Sequence, residues 1–229
     1  MRFTVTLLLL TLLPAAASAH DLWIERRDGG YVLQYGHRGG ELMPLDATKL
    51  KAATCLDAKG AKTDLLAGAS FTPKAVTFKG ACAVVSAFYH GGYYSLTPDG
   101  EQNLPKNKVK DAVKSWESRE FVKYVDAAAA GAAKPVGDQI EIVPVTGLAK
   151  VREGDKVTLK VLANGAPAAG AVVARDHSPV GETDSAGEVR LKVKSADLQV
   201  IDATVKRKVD STEADSLVLT ATIVFEVLK

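Results

Sequence analysis

Apolar and polar positions alternate along most of the chain, and alternation marks half-buried strands. In "DLWIERRDGGYVLQYGH", residues 21 to 37, two such runs flank an Asp-Gly-Gly turn, which predicts a hairpin. "KLKAATCLDA", "KAVTFKG" and "ACAVVSAFYH" predict three more strands, and "TPDGEQNLPKN" is turn-forming. The pattern then changes. Across "KVKDAVKSWESREFVKYVDAAAA", Val109, Ala112, Val113 and Trp116 keep helical spacing and Phe121 and Val125 resume it, which predicts one amphipathic helix over about residues 107 to 128. The helix runs into "AAAAGAAKPVG", a small-residue linker. From Ile140 alternation returns. Val157, Leu159 and Val161 share one face; Val189, Leu191 and Val193 share another, with Arg190, Lys192 and Lys194 pointing away. "SLVLTATIVFEV" alternates to the end. Strands separated by turns such as "ANGAPAAG" and "TDSAGE" predict an immunoglobulin-like sandwich.

The fold class expected is therefore mostly β: two β-sandwich-like domains with one amphipathic helix between them, the C-terminal one immunoglobulin-like. The divisions are an N-terminal β domain over 20–104, a helix and linker over 105–137, and the sandwich over 138–229. Residues 1–19 read as a signal peptide: Arg2, the apolar run "VTLLLLTLL", Pro14, then Ala17 and Ala19 at the positions a signal peptidase reads. That run is too short to span a bilayer, so no membrane span is expected in the mature chain. Cleavage after Ala19 makes His20 the first mature residue, and the plain cleavage site predicts a bacterial periplasmic protein.

Charge narrows the partners. The chain carries 29 Lys and Arg against 27 Asp and Glu, and the signal peptide removes one Arg and no acid. A nearly neutral chain has no electrostatic reason to seek nucleic acid or anionic lipid. Its two cysteines, Cys55 and Cys82, are expected to form a disulfide in an oxidising compartment. No G-x-S-x-G, phosphate-cradling glycine loop, C-x-x-C or paired carboxylates are found, so a non-enzymatic protein is expected.

The candidate chemistry lies in four histidines, His20, His37, His90 and His177. If the first hairpin turns on two residues, Asp28-Gly29, partner numbers sum to 57 and His20 falls opposite His37. Cβ atoms so paired are about 4.5 to 5.5 Å apart on one face. A three-residue turn makes the sum 58 and separates them. A terminal histidine offers its α-amine and ring Nδ1 to one ion. With a second imidazole it supplies three nitrogens, a set suited to nickel, cobalt, copper or zinc. Asp21 is placed to orient a ring or supply an oxygen. His90, in "AFYHGGYY", repeats the aromatic, histidine, glycine order of "QYGHRGG" and is the best additional ligand. His177, in "ARDHSPVG", reads as an ordinary histidine of the other domain. Tyr89, Tyr93, Tyr94 and Trp116 read as packing.

The mature start "HDLWIE", the "YGH" after the hairpin, "YYSLTPDGEQNLPK", "SWESREFVKYV", "VGDQIEIVPVTG", "VREGDKVTLKVLANGAPAAGAVV", "TDSAGEVRL" and "LTATIVFEV", in that order, resemble the DUF4198 family. The resemblance covers nearly the whole mature chain. It implies a periplasmic nickel- or cobalt-binding component of an uptake system, serving a membrane transporter. The family's leading histidine and Gly-His pair match His20 and Gly36 with His37. Two other readings stay open: a metal-free interaction module, and a copper oxygenase whose terminal and internal histidines brace the ion.

Overall fold

The computed structural model describes residues 21–176 and 178–227. The segment expected to be a signal peptide, His20 and His177 lie outside the described residues.

The first two strands, Asp21–Arg27 and Gly30–Gly36, pair antiparallel with Arg27 opposite Gly30 and Asp21 opposite Gly36, so that partner numbers sum to 57. The turn is the two-residue one. Asp28 and Gly29 both take positive φ, 47° and 75°, the backbone that a hairpin of this length requires and that Asp and Gly tolerate. Ala75–Lys79 and Ser70–Thr72 complete a four-stranded sheet.

That sheet covers one face of a nine-stranded central sheet. The central order runs Ser178–Glu182, Val172–Arg175, Leu198–Lys208, Ser216–Glu226, Lys114–Val125, Val84–Thr97, Leu50–Leu56 and Lys62–Asp64, with Gly100–Gln102 added beside Val84–Thr97. A smaller sheet, Ile140–Pro144, Lys156–Ala163, Ala166–Pro167 and Glu188–Lys192, covers the opposite face. Two cores result, one on each side of the central sheet. Tyr31, Leu33, Ile24 and Phe78 meet Val85, Val122, Tyr124, Val200 and Val224 on one side. On the other, Ile142, Leu159 and Val161 meet Phe121, Val125, Ile201, Leu219 and Ile223. The mostly-β expectation holds, and the C-terminal strands pack face to face in two sheets.

The expected helix over residues 107–128 is corrected. Lys106–Lys108 is one 3-10 turn, and Lys114–Val125 is a strand. It runs parallel to Ser216–Glu226 on one side and antiparallel to Val84–Thr97 on the other. Both its faces are covered, so Phe121 through Val125 are buried consecutively and period-two alternation disappears. Its charges imitate a solvated helix face but are held inside: Lys123 pairs with Glu141, and Glu117 with Arg119 and His90.

The expected division near residue 138 is also not where the sheets divide. The parallel pairing of Ser216–Glu226 with Lys114–Val125 makes one sheet from both sides of it. Cys55 and Cys82 form the expected disulfide, with Cα atoms 5.4 Å apart, joining Leu50–Leu56 to the segment before Val84. No helix among the described residues is long and apolar enough to cross a membrane.

Candidate functional site

His37 follows the second strand directly, half-buried, at the start of a tight turn. Its N–H donates to the Glu41 carbonyl at 3.0 Å and its carbonyl accepts from the Gly40 N–H at 2.9 Å. Gly36 before it has φ 133°, and a Cβ there would stand 2.5 Å from the Glu41 carbonyl oxygen. Only glycine fits. The Gly-His pair is therefore a backbone requirement that brings the Glu41 segment under the strand end and fixes where His37 begins. The pairing ends with Asp21 opposite Gly36. His20 itself lies outside the described residues.

Residues 31, 33 and 35, with partners 26, 24 and 22, occupy the hairpin face turned toward the central sheet, as the packing of Tyr31 against Tyr124 shows. Opposite stands a part of the central sheet rich in carboxyl groups. Glu120 and Asp202 share parity with Val122, Tyr124, Val200 and Val224, which line the core beneath the hairpin. Burial pushes Glu120 up to about 7; the charges of Asp202 and Asp21 add to the rise and Lys49 opposes it. Burial also pushes Asp202 up to about 7, opposed by the hydrogen bond that Thr222 donates at 2.7 Å and reinforced by Asp21 and Asp176. Tyr35 is pushed to about 12 by burial, then by Glu120 and Tyr94. Half-buried acids raised in this way take up a proton more readily, and a cation nearby would oppose the rise.

Asp21, expected to assist the site, is thus close enough to perturb both buried acids. The next link was not anticipated. Arg38, beside His37, reaches Asp176 at 3.8 Å and Asp197 at 3.9 Å, both in the C-terminal half. Asp176, expected to belong to a remote domain, therefore lies within reach of Arg38 beside His37.

His90 is placed elsewhere. A bulge at His90–Gly92 sets it opposite Arg119, on the face shared with Phe88 and Phe121 and therefore away from the first hairpin. Its Nε2 lies 2.9 Å from Glu117 Oε1, and its ring meets Tyr93 edge-on. Burial raises the Glu117 carboxyl, but hydrogen bonds from Arg119 and His90 outweigh it and hold the group below its usual range. As a third ligand beside His37, His90 is corrected: the sheet stands between them. Trp116 stacks on Tyr94, in line with a packing role.

Among the described residues no three His, Cys, Asp or Glu side chains converge closely enough to hold an ion by themselves. Sequence reasoning missed Glu120, Asp202 and Asp176. Glu120 lay in the segment read as helix, whereas Asp202 in "VIDATV" carried a usable signal: an acid amid β-branched residues, inside a strand buried on both faces.

Residues 17–207 match the family described as a domain of unknown function, DUF4198. No curated protein matches the chain. Among solved structures, the N-terminal four immunoglobulin domains of Dscam1 isoform 9.44 are 12% identical over 87% of this chain and 55% of that one, with a TM-score of 0.26. A second structure, described as the structural basis for Dscam isoform specificity, is 13% identical over 86% of this chain and 54% of that one, with a TM-score of 0.24. The chain spans about half the length of either.

Proposed function

The chain belongs to the DUF4198 family, and from that premise we propose that it binds one divalent transition-metal ion, nickel or cobalt, in the periplasm and hands it to a membrane uptake transporter. One observation supports the reading: the two-residue turn at Asp28-Gly29, which gives the pairing sum of 57 from which a His20 to His37 pairing is expected. After cleavage at Ala19, His20 offers an amine and a ring nitrogen and His37 a third nitrogen. Such a set is borderline-soft and prefers late first-row ions, with copper bound more tightly than nickel or cobalt when supplied equally. Selection between them then rests on what the compartment supplies. The half-buried acids Glu120 and Asp202 favour the reading electrostatically, because a cation nearby would lower the cost of ionising them. Open positions beside a chain terminus suit a carrier, which must release its ion.

The test is titration of exported, processed protein with nickel and cobalt, followed by calorimetry and native mass spectrometry. One ion per chain is expected. A single glycine added before His20 turns the amine into an amide and keeps both rings. It is expected to weaken binding at least the ~10-fold that even ligand-supporting groups command, and His37→Ala to do the same. His177→Ala is no neutral control here, since Asp176 beside it is tied to Arg38. If the processed parent binds no ion, the reading falls and a metal-free interaction module takes its place.

A further inference from the structure

Lys123, Glu141, Glu117 and Arg175 are the buried charged side chains among the described residues. The first three are paired, Lys123 with Glu141 and Glu117 with Arg119 and His90. Arg175, 6% exposed, has no ion pair among the described residues. Its ladder partner is Ile201, and both face the core that holds Val173, Leu191 and Val193. Nη1 donates to the Lys192 carbonyl at 2.9 Å, which fixes the plane of the guanidinium. Nε and Nη2 are buried, and no acceptor meets either of them among the described residues. The adjacent Asp176 does not supply one: its side chain is 61% exposed and directed toward Arg38 at 3.8 Å. Burial lowers the Arg175 guanidinium from its ordinary value, and the Asp176 charge opposes that.

A buried guanidinium without a counter-charge is costly, and water that satisfies its N–H groups leaves the charge in place. Nε–H and one N–H of Nη2 point the same way, along the edge that a carboxylate meets with two parallel hydrogen bonds. The strand that holds Nη1 adds to the positive field. Lys192 stands directly opposite Lys156, like charge against like, and Lys194 follows two residues on. We propose that the Nε–Nη2 edge of Arg175 binds a small monocarboxylate, which enters between Val172–Arg175 and Glu188–Lys192. One negative charge matches one guanidinium, and a short apolar remainder suits Val173, Ile201 and Val193, whereas a doubly charged phosphate buries an excess charge. Entry is at a weak edge. The outer neighbour of Val172–Arg175 is Ser178–Glu182, exposed at every residue, with a register shift between Val173 and Ala174 and with Pro179, which has no N–H, opposite Ala174. Such an edge opens locally at low cost. The site faces away from the first hairpin and stands without the metal-binding reading.

The experiment uses the full processed chain with sodium butyrate as the probe, against sodium chloride and sodium phosphate at equal ionic strength. Thermal melts are followed in the parent, Arg175→Lys and Arg175→Met, and the Nε–H resonance of Arg175, assigned through its own side-chain carbons, is followed by NMR in the parent. Butyrate at about ten times its Kd is expected to raise the parent's melting temperature by about 3 to 6 °C over chloride, saturably, and to shift that resonance. Arg175→Met is expected to melt at or above the parent in chloride, because an unpaired buried charge is gone, and to lose the butyrate rise. Arg175→Lys keeps a charge without the fork and is expected to lose most of it. An equal rise in Arg175→Met, or a parent resonance that butyrate leaves in place, overturns the proposal. So does a larger rise in phosphate than in butyrate.

Discussion

Glu120 and Asp202 contribute a pH response to the folded chain. Both are held near 7 by burial, well above the usual carboxylate range, with neighbouring acids adding to the rise and Lys49 and Thr222 opposing it. The folded state therefore keeps protons that the unfolded state has already released between about pH 4.5 and 7. Stability is fully supported below the ordinary carboxylate values and falls as pH rises through 7. Denaturant midpoints of the ion-free protein are expected to drop between pH 5 and 8. Glu120→Gln, which cannot ionise, is expected to flatten that slope, and nickel to steepen proton release in the same range. A midpoint that rises with pH in both proteins would show that neither acid is protonated in the fold. At this scale the sequence disclosed His37 with its glycine, because a backbone constraint of that kind leaves a local mark. It could not disclose Glu120, whose importance comes only from what covers it.

Among the elements, the strand Lys114–Val125 shows best how burial on two faces overrides local pattern. Its Lys123 is almost wholly buried and bonded to Glu141, while Glu141 also accepts the N–H groups of Val136 and Gly137 at 2.8 and 3.0 Å. Burial lowers the Lys123 ammonium and the Glu141 charge supports it. Lys123→Met leaves Glu141 buried without its cation and is expected to cost about 3 to 5 kcal/mol in urea unfolding. The double variant Lys123→Met, Glu141→Leu is expected to recover part of the loss but not all, since two backbone N–H groups then lose their acceptor. Full recovery would mean those N–H groups find water. The charges at Glu117, Arg119, Glu120 and Lys123 misled the periodicity argument for this reason: it assumes that charged positions face solvent. The first hairpin was legible down to its register because Asp-Gly in a two-residue turn determines the pairing locally. The alternating strands Lys156–Ala163 and Glu188–Lys192 were legible too, each having one face against a core and one turned away.

At the scale of the whole molecule, the central sheet makes the two halves interdependent. A fragment beginning at residue 138 keeps Ile140–Pro144, Lys156–Ala163 and the sandwich strands but loses Lys114–Val125, the parallel neighbour of Ser216–Glu226. Ser216–Glu226 then becomes an open edge eleven residues long, rich in β-branched side chains, which is the form of edge that pairs with other chains. Phe121, Val125, Val84 and Leu56 leave the core shared with Ile142 and Ile223, and Glu141 loses Lys123. The apolar positions of 138–229 alone predict a self-sufficient sandwich, since they alternate cleanly; the sequence holds no local sign that one strand is lent by the first half. The isolated 138–229 fragment is therefore expected to show no cooperative thermal transition and to associate with itself. Mixing it with a 20–137 fragment is expected to restore one cooperative melt and a 1:1 species in native mass spectrometry. A sharp melt of monomeric 138–229 by itself would show that the parallel pairing is dispensable, and the first hairpin and the Asp176 turn would then be joined only by Arg38 and the packing around it.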